Sequence, residues 1–264
     1  MHFSNITRFR AFSIHFLISF VIFLILLYLI LGHWYPQPYF LNDGGWRVIR
    51  IIVGVDLVLG PLLTLIVFKP GKPGLKFDLS VIALVQVLAL SWGIWTTYSE
   101  RPVAVIYTID YFTPVPAYQL KAQGLTSDKL QQYGSMDPVL IFSDIPQEKQ
   151  SEVLIESMHK GKPLYLLTEY YRKFSSQYAG VLKQNSMNLE KYVDDKPELK
   201  KRYQKALVNL DASKTHISFL ALHSRDKWVS VIFDLDSMSI IDTIDISPSH
   251  YLFAQKVKRT KKKK

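Results

Sequence analysis

The chain has 264 residues, of which 48% are apolar and 20% are charged, so it holds too much apolar material for a disordered protein. Its net charge is +10, but because seven of the basic residues fall in the last nine positions, the excess belongs to a tail and excludes a basic nucleic-acid-binding surface elsewhere. Cysteine is absent, which excludes disulfide bonds, thiolate metal sites and thiol nucleophiles.

The first predicted element is an apolar run over residues 11–31, whose only polar members are Ser13, His15, Ser19 and Tyr28. At about 1.5 Å per helical residue, such a run can cross a hydrocarbon layer about 30 Å thick. A cleaved signal peptide is the competing interpretation, but its core is usually about 7–15 residues long and ends in small residues. Aromatic residues and a proline follow here instead, so we predict an uncleaved membrane anchor.

Two further apolar runs follow, over residues 48–68 and 79–97, and a short loop rich in lysine, proline and glycine separates them. A three-helix transmembrane bundle over residues 1–101 is therefore predicted. Basic residues near the membrane favour one side by five to three, as cytoplasmic loops do. This bias predicts a cytoplasmic N-terminus and a C-terminal domain on the outer side. The five residues that set this orientation are Arg8, Arg10, Lys69, Lys72 and Lys76.

Aromatic residues support the same orientation. Tryptophan and tyrosine are enriched where a membrane meets water. In this chain they cluster at the ends of the spans that lie opposite to the basic residues. The residues concerned are Trp34, Tyr35, Trp46, Trp92, Trp95 and Tyr98.

Polar residues within the predicted spans are the most informative chemistry, because hydrocarbon offers no water to satisfy them. Asp56 lies near the middle of the second span, and Gly60 and Thr64 follow on the same helical face. Gln86 of the third span lies at a similar depth. Two interpretations stay open: Asp56 bonds Gln86 and holds the bundle together, or the face docks a foreign transmembrane helix. The candidate docking residues are Asp56, Gly60, Thr64, Gln86, Gly54 and Pro61.

Residues 102–255 are predicted to form a water-facing α+β domain with an antiparallel sheet, and residues 256–264 a basic tail. Three β-rich runs at 216–223, 228–235 and 239–246 are separated by turn residues, which is typical of an antiparallel meander. The domain follows the third span without a flexible linker. Further strands are predicted at residues 103–107 and 139–142, and helices at about 144–159, at 170–182 and from about 195 onward.

Residues that carry catalysis or bind metal ions do not form a recognisable pattern. His159, His216, His223 and His250 lack metal-ligand spacing, and there is no phosphate-binding glycine loop. The neighbouring His, Ser and Asp at 223–226 carry little information, because catalytic triads are assembled by folding. We therefore predict that the protein is not an enzyme and has no cofactor and no metal site.

Three stretches within the first 110 residues follow the pattern of a known family: RFRAF at residues 8–12, GVDLVLGPLLT at 54–64 and LKFDLSVIAL at 75–84. Arg101 and Pro102 then follow the third span directly, as they do in that family. In these residues the chain resembles the type IV pilin accessory proteins of Gram-negative bacteria, of the TfpX/TfpZ type.

The resemblance implies an inner-membrane protein with a periplasmic C-terminal domain. Such a protein acts in a chaperone-like way on the pilin subunit before assembly, and affects its stability, surface display or pilus dynamics. The expected partners are the type IV pilin subunit and membrane lipids, without nucleic acid. Asp56 is expected to pair with the cationic amine at the pilin N-terminus, while Gly60 admits the pilin helix. The alternative is a membrane-anchored sensor with a periplasmic ligand-binding domain, although cytoplasmic portions of about ten residues leave no output domain.

Overall fold

Two compact units make up the chain, Met1–Arg101 and Pro102–Lys264. The first is helical, and the second combines helices with one sheet. The predicted basic tail at residues 256–264 lies outside the described residues. The computed structural model describes residues 7–42, 45–208, 210 and 216–248.

The first unit contains three helical stretches that are long and apolar enough to cross a membrane: Arg8–Trp34, Val48–Val67 and Leu75–Glu100. They fall where the three apolar runs of the sequence predicted spans. The first stretch begins after Thr7, whose hydroxyl oxygen accepts the Arg10 backbone N–H at 3.2 Å and so caps the helix. The helices of this unit are α1 (Arg8–Leu29), α2 (Tyr39–Asn42), α3 (Gly45–Ile52), α4 (Gly60–Val67) and α5 (Leu75–Glu100).

Two of these stretches contain π-helical segments, in which the backbone hydrogen bonds span five residues. One follows α1 at Ile30–Trp34. The other, Val53–Leu59, joins α3 to α4 and carries Asp56 near its centre. Pro61 begins the next turn and has no backbone N–H to continue the hydrogen-bond ladder, so the second span changes its helical form immediately before this proline.

One seven-stranded sheet organises the second unit. Its strands are β1 (Pro102–Thr108), β2 (Tyr111–Pro116), β3 (Val139–Ser143), β4 (Tyr171–Lys173), β5 (Ile217–His223), β6 (Trp228–Asp234) and β7 (Ser239–Ile244). Their order across the sheet is β4-β3-β1-β2-β5-β6-β7. Strand β1 is antiparallel to β2 but parallel to β3, and β2 is parallel to β5. The sheet is therefore mixed, and the prediction of an antiparallel sheet is wrong.

The parallel pairs arise because long connections bring together strands that are distant in the chain. After β2 the chain forms α6 (Ala117–Ala122) and α7 (Ser127–Leu130) before it returns to pair β3 with β1. Parallel neighbours require such a crossover of about a dozen residues or more. The sequence pattern linked only strands that follow one another closely, so it predicted only antiparallel pairs.

The predicted meander is confirmed, since β5, β6 and β7 pair antiparallel in chain order. Its central strand is nevertheless buried on both faces, because all residues from Val229 to Asp234 are buried. Ile232 faces a cluster with Ala221 and Ile244, whereas Phe233 packs on the opposite face against Phe112. The alternation along β6 therefore separates two buried faces rather than a buried face from a wet one.

Helix α11 (Pro197–Val208) begins close to the predicted position, since proline is favoured in the first turn of a helix. Its apolar residues Leu199, Tyr203 and Ala206 pack on the cluster that includes Ile232 of the sheet. The preceding short helix, α10 (Leu189–Val193), contributes Leu189 and Val193 to the same cluster. These two helices cover one face of strands β5 to β7.

Helix α8 (Gln150–Lys160) ends as predicted before Gly161, which adopts a left-handed conformation with φ of 61°. Its predicted start at residue 144 is wrong. The backbone N–H of Asp144 donates to the Tyr170 carbonyl oxygen instead of opening a helix, and only a short 3₁₀ turn precedes α8. Asp144 thus makes a long-range hydrogen bond at the position where the helix was predicted to begin.

The predicted helix over residues 170–182 is wrong in its first half. The chain there forms the edge strand β4 beside β3, and α9 (Ala179–Asn185) begins only after a 3₁₀ turn. The Tyr178 ring lies flat against Phe142 of β3, with 3.7 Å between the ring centroids. Packing against the sheet therefore overrides the local helical pattern in this segment.

Candidate functional site

A buried group of polar side chains lies where the three membrane-length helical stretches meet. Ser19 of α1, Asp56 of the π-helical segment and Thr64 of α4 are only 2%, 5% and 4% exposed. His15 of α1 and Gln86 of α5 are half-buried beside them. These five residues are called the polar cluster below. Each of the three stretches contributes to it, so the cluster ties the helical unit together.

Asp56 is the acidic member of the polar cluster. Its Oδ1 accepts a hydrogen bond from the Gln86 amide Nε2 at 3.4 Å, which is a long and weak contact. His15 and Ser19 lie close enough to interact with the same carboxyl group. Its Oδ2 has no hydrogen-bond partner among the described residues. Because an unpaired buried oxygen is costly, Oδ2 is the atom of the cluster best placed to accept a further donor.

Thr64 links α1 to α4 within the polar cluster. Its hydroxyl donates to the Gly60 carbonyl oxygen at 3.2 Å, and His15 Nδ1 lies 2.6 Å from the same hydroxyl oxygen. A hydroxyl has only one proton to give, so this arrangement assigns the donor role in the short contact to His15 Nδ1–H. Since His15 meets Thr64 while Ser19 lies near Asp56, α1 runs in the opposite direction to the second span.

Gly60 leaves the space that Gln86 occupies. A Cβ atom at position 60 would lie 1.7 Å from Gln86 Nε2 and 2.5 Å from its Cδ. No side chain can therefore stand at position 60 while Gln86 reaches toward Asp56. Gly54 lies near the start of the π-helical segment, and a Cβ atom at that position would have no other atom within 4 Å.

The predicted docking residues fall into two groups. The larger group faces inward, toward the α1 and α5 helices of the same chain. Gly54 alone stands apart, because it is exposed and has open space beside its Cα atom. The inward group consists of Asp56, Gly60, Thr64, Gln86 and the buried Pro61.

His15 and Ser19 belong to the polar cluster but were not predicted to do so from the sequence. Both were noted only as polar interruptions of the first apolar run. The available signal was their spacing, because residues four apart lie on one helical face and so could meet a polar face of another span. Their partner could not be named without knowing how the helices pack.

The five basic residues used to predict orientation remain near the ends of the helical stretches. Lys72 forms an ion pair with Asp78, with 2.6 Å between Nζ and Oδ2. Arg8, Arg10, Lys69 and Lys76 are exposed, and no ion pair holds any of them within the part of the chain that the structure describes.

Polar side chains of the second unit bond to one another and to the backbone. Ser224 neighbours His223 and Asp226 in the sequence. Its hydroxyl donates to the Lys227 carbonyl oxygen at 2.7 Å and so closes a turn. Asp245 pairs with both Arg202 and Lys227. Over the described ranges, no group of three or more His, Asp or Glu side chains is placed to hold a metal ion. His250 lies outside these ranges.

His223 gives the second unit a testable pH dependence. Its ring stacks on Trp228 with 4.2 Å between centroids, and partial burial lowers the pKa of His223 below its usual 6.5. As the pH falls below 6.5, the unfolded chain takes up a proton at this position before the folded chain does. Acidification should therefore lower the free energy of unfolding, and His223→Gln should reduce this loss. Urea unfolding at pH 7.5 and 5.5 measures the free energy of unfolding of the wild type and of His223→Gln. An equal loss on acidification in the two proteins would contradict the lowered pKa of His223.

Comparison with known proteins connects the helical unit to a named family. The sequence profile of Fimbrial assembly protein FimB matches residues 3–41, which cover α1. The fimbrial assembly protein of Dichelobacter nodosus serogroups C1 and C2 is 40% identical over 101 residues, which make up 37% of this chain and 76% of that relative. The chain belongs to the fimbrial assembly protein family.

Other fimbrial assembly proteins share the similarity over a smaller part of their length. The Dichelobacter nodosus proteins of serogroup E1 and serogroup I are 43% and 40% identical to this chain over 101 residues. The match spans 39% of each of these relatives and 37% of this chain. No solved structure matches the chain. The comparisons thus agree with the resemblance to pilin accessory proteins at the level of fimbrial assembly.

Proposed function

We propose that this fimbrial assembly protein is a non-catalytic accessory protein of the inner membrane that binds the type IV pilin subunit before assembly. Membership of the fimbrial assembly protein family supports a role in fimbrial assembly. The three membrane-length helices around the polar cluster support a membrane-embedded binding unit. The N-terminus lies in the cytoplasm and the second unit in the periplasm. In this position the protein acts on pilin stability, surface display or incorporation into the fibre.

The buried carboxyl of Asp56 is the observation that carries the proposed docking. A membrane helix of pilin approaches the second span beside Asp56, at Gly60, where the backbone carries no side chain. The Asp56 Oδ2 then accepts a donor from pilin, such as its cationic N-terminal amine. Gln86 occupies this space in the free protein, so it has to move away when pilin binds.

Helix α5 is suited to such a movement. Its most apolar 18-residue window is entirely unburied, whereas a third of the corresponding window of the second span is buried. Its contact to Asp56 is the long hydrogen bond from Gln86. Exchanging this weak contact for a contact with pilin therefore costs little packing.

Deletion of the protein tests the proposed pathway. A chaperone-like action predicts that both total pilin and surface pilin fall in the deletion strain. A rise in surface pilin would instead identify a restraint on assembly, within the same pathway. Unchanged total pilin, surface pilin and pilus number would contradict the proposed function. Immunoblots of whole cells and of sheared surface fractions measure these quantities.

Replacing Asp56 by asparagine tests the docking site itself. Asparagine keeps the size of the side chain and its acceptor for Gln86 but removes the charge, so we expect pilin co-purification to fall severalfold. Thr96→Val is the matched control, because Thr96 lies on α5 and its Oγ1 has no hydrogen-bond partner among the described residues. Equal pilin recovery from the two variants and the wild type, with normal folding, would reject this docking site.

A further inference from the structure

The loop between α4 and α5 is a rigid double turn. Its sequence repeats Lys-Pro-Gly, and each repeat closes one turn: Lys72 N–H donates to the Lys69 carbonyl oxygen at 3.1 Å, and Leu75 N–H donates to that of Lys72 at 3.3 Å. Gly71 and Gly74 follow the prolines with φ of +76° and +81°. Proline followed by a glycine of positive φ is typical of a type II turn. We call residues 69–76 the lysine turn.

Both ends of the lysine turn are anchored in the helical unit. Phe68 precedes it and is 1% exposed, and Leu75 near its end is 5% exposed. The residues between them, 69–74, are all exposed. Proline also restricts the backbone before folding, so little conformational entropy remains to be lost when this loop binds something. The lysine turn therefore holds the backbone positions of its lysines in a fixed arrangement.

Helix packing brings two more cations to the same end of the unit. Because His15 of α1 contacts Thr64 of α4, the start of α1 lies beside the end of α4, where the lysine turn begins. Arg8 and Arg10 occupy that first turn of α1 and are exposed. The ion pair that the structure gives for this end joins Lys72 to Asp78. The remaining charges at this end form a positive surface without a described acidic partner.

At the opposite end of the helical unit, Arg50 and Arg101 donate hydrogen bonds to carbonyl oxygens of the chain itself. Arg50 Nε donates to the Trp46 carbonyl oxygen at 3.4 Å. Arg101 Nη1 donates to the Tyr98 carbonyl oxygen at 2.6 Å, and its guanidinium lies 3.6 Å from the centre of the Tyr98 ring. These two cations are engaged by the chain itself, whereas Lys69 and Lys76 of the lysine turn are open to an external anion.

We propose that the lysine turn, together with Arg8 and Arg10, binds the phosphate groups of anionic phospholipids. The surface adjoins membrane-length helices, so lipid headgroups are the anions it meets. Phe77 is 72% exposed directly beside the lysines and provides an apolar side chain for the acyl region of the same lipid. A cluster of neighbouring cations binds several phosphates or one phosphate from several sides, which selects anionic lipids over zwitterionic ones.

The test compares two double variants of the full chain with equal loss of charge. Lys69→Gln/Lys76→Gln removes two open lysines but preserves the Lys72–Asp78 ion pair, whereas Arg50→Gln/Arg101→Gln removes two engaged cations at the other end. Native mass spectrometry in detergent measures bound lipid after addition of phosphatidylglycerol or phosphatidylcholine. We expect the lysine variant to bind phosphatidylglycerol about tenfold more weakly and the arginine variant to bind it like the wild type. Binding of phosphatidylcholine should stay unchanged in both.

The basic tail is present in both variants, so its attraction for anionic lipids cancels in the comparison. An equal loss of phosphatidylglycerol in the two variants, or no loss in either, would overturn the proposal. Normal unfolding of the lysine variant excludes damage to the helices as the cause of a loss. The proposal is independent of pilin docking, because the lysine variant is expected to retain pilin co-purification.

Discussion

Leucine in place of Gly60 is expected to push the Gln86 side chain away from Asp56 and to destabilise the helical unit. The new side chain would fill the space of the Gln86 amide, because even a Cβ atom at position 60 would lie 1.7 Å from Nε2. The hydrogen bond from Gln86 to Asp56 would then be lost. Overpacking of this kind costs about 1–3 kcal/mol. Unfolding of the detergent-solubilised chain by increasing sodium dodecyl sulfate, followed by tryptophan fluorescence, measures the loss.

Gly54→Leu is the control for this prediction. It introduces the same side chain into the same membrane-length helical stretch, but no atom lies within 4 Å of the Cβ position there. We expect the stability of this variant to stay close to that of the wild type. A second comparison uses Gln86→Ala, which removes the obstructing amide and should make Gly60→Ala tolerable. Equal destabilisation by leucine at positions 54 and 60 would contradict the packing described for Gly60.

The sequence allowed the inward polar residues of the second span to be predicted, because helical spacing alone places Asp56, Gly60 and Thr64 on one face. It did not show which neighbour that face meets. His15 donates to Thr64 and Gln86 to Asp56, and both contacts depend on the packing of helices distant in the chain. The π-helical segment also escaped prediction, because no residue pattern distinguishes one extra residue in a turn from a regular α-helix.

In the second unit, local pairing could be predicted and distant pairing could not. The meander of β5 to β7 has short turns between strands rich in β-branched and aromatic residues. Strand β2 was missed because Pro114 and Pro116 are unusual in a strand. They fit here since β5 pairs with β2 only at Tyr111 and Phe112, which leaves the proline end of the strand with one paired edge.

A buried aromatic cluster lies on the other face of the sheet of the second unit. Phe112 of β2 and Phe233 of β6 are fully buried, and their ring centroids are 5.6 Å apart. Tyr107 lies 4.9 Å from Phe112, and Phe174 lies 6.1 Å from Phe112 and 5.7 Å from Phe233. Aromatic residues from four parts of the chain thus meet at Phe112, which makes this ring the most consequential one to remove.

Alanine in place of Phe112 is expected to lower the free energy of unfolding of the second unit by about 3–5 kcal/mol, since the surrounding rings cannot collapse into the space of a phenyl group. Tyr118→Ala is the matched control, because this aromatic side chain is 48% exposed. Its removal should change the free energy of unfolding by less than about 0.5 kcal/mol. Hydrogen–deuterium exchange of the full chain localises the effect to peptides from β2 and β6. A loss as small as that of the control would mean that the ring cluster does not hold the two halves of the sheet together.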